Sequence, residues 1–138
     1  MARTPTPDPG APVAAPARTP AQRAAHARGV AAEGQAARLL EARGFAILER
    51  RARTGAGEID LIARRGDLLV FCEVKRRASL AAAAESLQVR QQRRIAAAAA
   101  AWLADRPELA ALQMRFDAIL IAGTAAEHLP AAFEAEPG

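Results

Sequence analysis

From Gly29 to Arg43, Val30, Glu33, Ala37 and Leu40 fall at i, i+3, i+7 and i+10, the spacing of one helical face. Gly44 follows where a helix commonly closes on a left-handed residue, a conformation glycine adopts without penalty. Phe45 to Arg51 reads as a first strand and Thr54-Gly55-Ala56-Gly57 as a turn. Glu58 to Ala63 and Leu68 to Lys75 are two further strands, joined by the hairpin turn Arg65-Gly66-Asp67. Beyond an alanine-rich stretch the pattern predicts a long helix from about Ser86 to Ala104, stopped before Pro107, and a last apolar strand over Met114 to Ala122. The order α-β-β-β-α-β predicts an α/β domain with a mixed, hairpin-built sheet flanked by helices.

The ends look different. Residues 1–25 hold most of the nine prolines with Ala, Thr and Arg, and are expected to form a disordered basic tail unable to nucleate a helix. The folded domain is expected over 26–126, and the acidic, Ala/Pro-rich residues 127–138 as a flexible tail. His26 and His128 fall at these margins and are not expected as ligands. A length of 138 residues fits one domain, without internal repeats. No run of 18 apolar residues occurs, so no membrane span is expected. The N-terminus carries Arg3 and Arg18 without an apolar stretch, unlike a secretory signal. The single cysteine, Cys72, excludes an internal disulfide, and together these features predict a cytoplasmic protein.

Charge narrows the class of partner. The net charge is +4 and the pI about 10.8, the balance of a chain that meets a polyanion. Of 19 basic residues, 18 are arginine and one is Lys75. Arginine is a planar fork that is always charged, whereas lysine is a compact point charge, so the lone lysine suggests a role arginine cannot fill. Chance survival in an Arg-biased composition is the weaker alternative.

Alternation along the third strand puts Glu73 and Lys75 on one face, and Cys72 and Val74 on the other. The second strand carries Asp60 on one face with Glu58 and Ile62, and the hairpin makes the two strands neighbours, so Asp60 can approach Glu73. Two carboxylates held together repel unless a proton or cation lies between them. Mg²⁺, or Mn²⁺, is the hard, oxygen-seeking ion that suits such a pair. Glu33 lies within the apolar stripe of the first helix, where a carboxylate is costly unless paired or bound to metal. It is either a third ligand, direct or through water, or a stripe-edge glutamate that reaches solvent or pairs with Arg38 or Arg43. These groups suit metal-assisted phosphodiester hydrolysis, with Asp60, Glu73 and Glu33 on the ion and Lys75 stabilising the attacking hydroxide or the transition-state charge. Alone, an Asp followed by Glu-x-Lys is a weak motif; its place at a hairpin behind a helix with an inward acid strengthens it.

Around this cluster, Arg90, Arg93 and Arg94 with Gln91 and Gln92 form a basic, polar patch opening the long helix, and Arg76 and Arg77 follow Lys75. Each arginine alone reads equally as a solvated helix face; as a group they suit phosphate contacts, which set register without reading bases. Glu58 is a further ligand or a salt-bridge partner. Asp117 with Arg115 reads as a structural ion pair, Cys72 as a packing residue rather than a nucleophile, and Trp102 as a core anchor of the long helix.

The chain resembles the YraN family of small bacterial proteins. The matching stretches are Ala32-Glu33, Gly44-Phe45, Gly57-Glu58-Ile59-Asp60-Leu61-Ile62, Phe71-Cys72-Glu73-Val74-Lys75, Gln92-Arg93-Arg94-Ile95 and Arg115-Phe116-Asp117. The resemblance covers residues 29–122. It implies a restriction-endonuclease-like fold, similar to Holliday junction resolvases, in which Glu33, Asp60, Glu73 and Lys75 form the metal site and Gln92 orients a phosphate or water. Departures are Arg51 where relatives usually have Asn, Gln91 where they have lysine, and alanines at 81–84 in place of a glycine.

The expected activity is therefore a Mg²⁺- or Mn²⁺-dependent endonuclease acting on DNA, with branched or single-stranded forms as candidate substrates. A non-catalytic nucleic-acid-binding module of the same fold is the alternative, and an adaptor docking partners through its Pro-rich tail a third. Resolvase-like folds often pair as homodimers, yet no heptad or apolar face here demands one.

Overall fold

A computed structural model describes residues 17–134. The first helix, α1 (Pro20–Ala42), starts well before Gly29, because the local sequence Thr19-Pro20-Ala21-Gln22 is a capping box. Thr19 Oγ1 accepts from the Gln22 N–H at 3.1 Å, and Gln22 Oε1 accepts from the Thr19 N–H at 2.8 Å. Pro20 sits at the helix start, where its missing N–H costs nothing. The expectation of a tail through residue 25 thus fails from residue 20 onward; residues 1–16 lie outside the described part. His26 is an exposed residue of α1.

At its other end α1 closes in a Schellman motif. The Gly44 N–H donates to the Glu41 carbonyl and the Phe45 N–H to the Leu40 carbonyl, each at 3.0 Å, with Gly44 at φ +86°. Phe45 and Leu40 are both buried in one core cluster, the apolar contact that accompanies this motif. Any Cβ at position 44 forces a left-handed L-residue, so Gly44→Ala is expected to cost about 1 kcal/mol in chemical denaturation. The buried stripe of α1 is Ala32, Ala36, Ala37 and Leu40, whereas Val30 is exposed, so the core-facing side is rotated from the one Val30 suggests.

Three strands follow, β1 (Ala46–Thr54), β2 (Gly57–Arg65) and β3 (Leu68–Arg76), antiparallel across the two turns the sequence marks. The long helix expected from about Ser86 forms as α3 (Val89–Ala104), and the alanine-rich stretch before it holds a further short helix, α2 (Leu80–Glu85), capped by Ser79. They carry the chain across to β4 (Gln113–Ala122), which pairs parallel to β3, as such a crossover allows. The segment from residue 127, expected to fray, instead lies in β5 (Ala125–Phe133), antiparallel to β4; residues 135–138 lie outside the described part. The result is an α/β fold with a five-stranded mixed sheet in the order β1-β2-β3-β4-β5, compatible with a restriction-endonuclease-like core.

The sheet is buried on both faces. Leu61, Ala63, Val70, Cys72, Ile119 and Ile121 pack beneath α1. Ile62, Leu69 and Phe71 pack beneath α3, whose Ala98, Ala99 and Trp102 face them. Alanine on that helix brings it close to the strands, and Trp102 supplies the bulk expected of a core anchor, its Nε1–H donating to Glu49 Oε2 at 2.7 Å. Cys72 is fully buried, and burial pushes its thiol pKa up, which fits a packing role.

Candidate functional site

The β2–β3 ladder runs from Arg65↔Leu68 to Leu61↔Cys72 and stops one residue short of Asp60. β3 continues beside β4, with Glu73 opposite Ala118 and Lys75 opposite Leu120. The strands therefore part at Asp60, leaving the Val74 N–H without a ladder acceptor from β2. Asp60 Oδ2 takes that bond at 2.8 Å. Glu73 and Lys75 continue the row of Leu69 and Phe71 on the α3 side, whereas the alternation of β2 breaks at Asp60, because Ile59 and Ile62 both pack on that side while Leu61 packs on the other.

Lys75 Nζ lies 3.0 Å from Glu73 Oε1, with side-chain exposures of only 9% and 14%. The only lysine is thus a buried ammonium tied to one of the site acids. Asp60 has no cation of its own among the described residues. Burial, then the charge of Glu73, push its carboxyl pKa up to about 8, with a smaller push from Glu33, while the Val74 N–H opposes the shift. Burial and the Glu73 charge therefore favour a proton on Asp60 unless another positive charge replaces it.

Glu33 belongs to the same neighbourhood, approaching from the α1 layer. Its Oε2 accepts a hydrogen bond from Arg51 Nε at 2.6 Å, so its cation partner is neither Arg38 nor Arg43. The Glu33 hydrogen bond, and then the charges of Glu33, Glu58 and Asp60, stabilise the Arg51 guanidinium against partial burial. Arg51 sits at φ +49°, a left-handed backbone uncommon for arginine. Glu58 pairs with Arg53 at 3.6 Å on an exposed surface, the salt-bridge alternative for that residue. Glu33–Arg51 and Glu73–Lys75 thus form two ion pairs, and Asp60, a raised carboxyl, feels the charge of both acids. Among the described residues no three His, Cys, Asp or Glu side chains stand ready to hold a metal ion as a group. The pair Asp60–Glu73 nevertheless has the chemistry of a hard-cation site: two crowded carboxylates, one raised for want of positive charge.

Arg76, Arg77, Arg90, Arg93 and Arg94 are all exposed and unpaired with carboxylates among the described residues, Arg94 lying over Gly57. Among the described residues, the one with a buried, unpartnered side-chain atom is Gln91, through its Oε1, rather than Gln92, whose amide reaches the Leu87 carbonyl at 3.4 Å.

A second polar cluster lies on β4 and β5. Asp117 is fully buried and receives two 2.8 Å bonds from Arg115, one of 2.7 Å from His128 Nε2 and one of 3.0 Å from the Ala131 N–H. Arg43 Nη1 lies 2.7 Å from His128 Nδ1. A guanidinium cannot accept, so Nδ1 accepts and Nε2 carries the proton given to Asp117. The Arg115–Asp117 pair is structural, as the sequence suggests, but His128 belongs to the core rather than to a tail. Its partners come from elements far apart in the chain, which local patterning does not reveal.

No helix among the described residues is long and apolar enough to cross a membrane. Comparison with known proteins matches residues 32–121 to the family model described as uncharacterised protein family UPF0102. A UPF0102 protein of Azorhizobium caulinodans is 65% identical over 140 residues, covering 99% of each chain. Others come from Bradyrhizobium sp. ORS 278, at 52% identity over 93% of this chain and 92% of the relative, and Rhodopseudomonas palustris BisB18, at 51% over 99% and 96%. The stretch matched by the family model contains Glu33, Asp60, Glu73 and Lys75 together with Asp117. This chain therefore belongs to the UPF0102 family, the YraN family that its motifs resemble.

Proposed function

We propose that the protein is a divalent-metal-dependent nuclease that hydrolyses phosphodiester bonds in DNA. The observation that carries this reading is the parting of β2 from β3, which sets Asp60 beside Glu73 with the buried Lys75 ammonium alongside. Asp60 and Glu73 would hold Mg²⁺ or Mn²⁺, with Glu33 as the third oxygen donor. Bound there, the ion supplies Lewis-acid polarisation of a phosphoryl oxygen and acidifies a water. Lys75 offers a single positive charge, fixed by Glu73, to the oxygen that gains charge during attack. The exposed Arg76, Arg77, Arg90, Arg93 and Arg94 suit a phosphate backbone and give no base readout.

The test is incubation with Mn²⁺ and junction, flap, single-stranded and double-stranded DNAs. Cleavage is expected for at least one substrate, with the rate falling about 100- to 1,000-fold in Lys75→Met and lost in Asp60→Ala. Absence of cleavage throughout the panel at high protein concentration would overturn the catalytic reading. A non-catalytic DNA-binding module draws support from the unpaired arginines and the self-paired acids. Salt-dependent binding indifferent to Mn²⁺ and to Asp60→Ala would establish it instead.

A further inference from the structure

Two internal cations pair with the acids of the candidate site, and one of them has an unusual foothold. Arg51 binds Glu33 through Nε at 2.6 Å, and its side chain is 33% exposed against 14% for Glu33. The arginine can therefore swing outward into solvent, whereas the glutamate is held inside. Its left-handed backbone, φ +49°, interrupts the extended run of β1 between Arg50 and Ala52. A non-glycine residue in that region persists only where its surroundings hold it, and the contact with Glu33 is such a restraint. The same contact engages Oε2, one of the two Glu33 carboxylate oxygens, and no three-ligand group stands ready among the described residues.

We infer that Arg51 is an internal counter-cation of Glu33 that is exchanged for the divalent ion when the site loads. The inference rests on the metal-site reading above and adds its regulation: two cations compete for one carboxylate. A guanidinium beside a divalent ion is repelled, so the two positive charges oppose each other at one carboxylate. Loading thus breaks the Arg51–Glu33 pair, and metal affinity is lowered by whatever that pair is worth. Arg51 acts through Glu33, as a positioning residue. Were it instead to aim Glu33 at the ion, its removal would weaken binding, so the sign of the effect separates the two roles.

Calorimetric titration with Mn²⁺ alone tests this on wild type, Arg51→Asn, Arg51→Gln, Glu33→Gln, Arg51→Asn/Glu33→Gln and Asp60→Ala. Asparagine tolerates left-handed backbone, so Arg51→Asn removes the charge and relieves the strain, whereas Arg51→Gln removes the charge alone. Both are expected to bind Mn²⁺ about three- to tenfold more tightly than wild type. The gain should vanish in the Glu33→Gln background. Equal or weaker binding by both variants, with Asp60→Ala abolishing it, overturns the exchange and leaves the metal site standing. Absence of Mn²⁺ binding by wild type and both Arg51 variants overturns the exchange and the metal site together.

Discussion

Asp117→Ala is expected to lower stability to urea by about 3–5 kcal/mol, a large share of the total for a domain of this size. The carboxylate is fully buried and collects four hydrogen bonds, from Arg115, His128 and the Ala131 N–H. Truncation strands a partly buried guanidinium, leaves the buried imidazole N–H without its acceptor, and releases β5 at Ala131, whose φ of +51° needs an anchor. Asp117→Asn keeps an acceptor and should lose less. The pH dependence follows from the direction of the shift. Burial alone would raise this carboxyl, but the bonds from His128, Arg115 and Ala131 outweigh it and hold it down to about 2. An acid depressed in the folded state stabilises above its unfolded pKa of about 3.9, and that contribution disappears as pH falls towards 2. The advantage of wild type over Asp117→Asn should therefore be full at neutral pH and fade between about pH 4 and 2. A loss under about 1 kcal/mol in Asp117→Ala would show that β5 docks without this cluster.

Asp60→Asn is expected to act in the opposite sense. Its carboxyl is raised to about 8, chiefly by burial and then by Glu73, so the folded protein binds a proton that the unfolded chain releases near pH 3.9. Between those values the folded state holds more protons, and stability contributed by this group falls as pH rises. The asparagine amide keeps an acceptor for the Val74 N–H and carries no charge. The variant should match wild type near pH 4 and become more stable than it towards pH 8, by a few kcal/mol at most. Melting curves from pH 4 to 8 in a chelator measure this difference. Saturating Mn²⁺ should remove it, because a bound cation favours the ionised Asp60 and has less purchase on the amide. A difference constant with pH in chelator would show that Asp60 ionises without penalty, and would remove the main electrostatic reason for placing a cation beside it.

Local chemistry made much of the fold legible. The Gly44 cap and both hairpin turns depend on residues adjacent in sequence, and each forms where its glycines demand. The α1 start was also written locally, in Thr19 and Gln22, but the density of prolines just before it points the other way. β5 was not legible, because Glu127, His128 and Pro130 suit no isolated strand; pairing with β4 and the Asp117–His128 bond hold it. The alanine-rich stretch after Ser79 had helix propensity but no apolar stripe to mark α2.

The site divides along the same line. Alternation along β3 is enough to put Glu73 and Lys75 on one face, and the hairpin is enough to bring Asp60 near them, because both follow from backbone geometry over a few residues. The chain by itself thus determined the four candidate groups, the two strands and the helix that carry them, and the family. Only the tertiary structure decided their partners. The stop in the β2–β3 ladder, the pairing of Glu33 with Arg51 across 18 residues and the burial of His128 depend on how α1 and β5 dock on the sheet. Charges are satisfied by whatever packing brings within about 3 Å, and sequence spacing does not encode that distance.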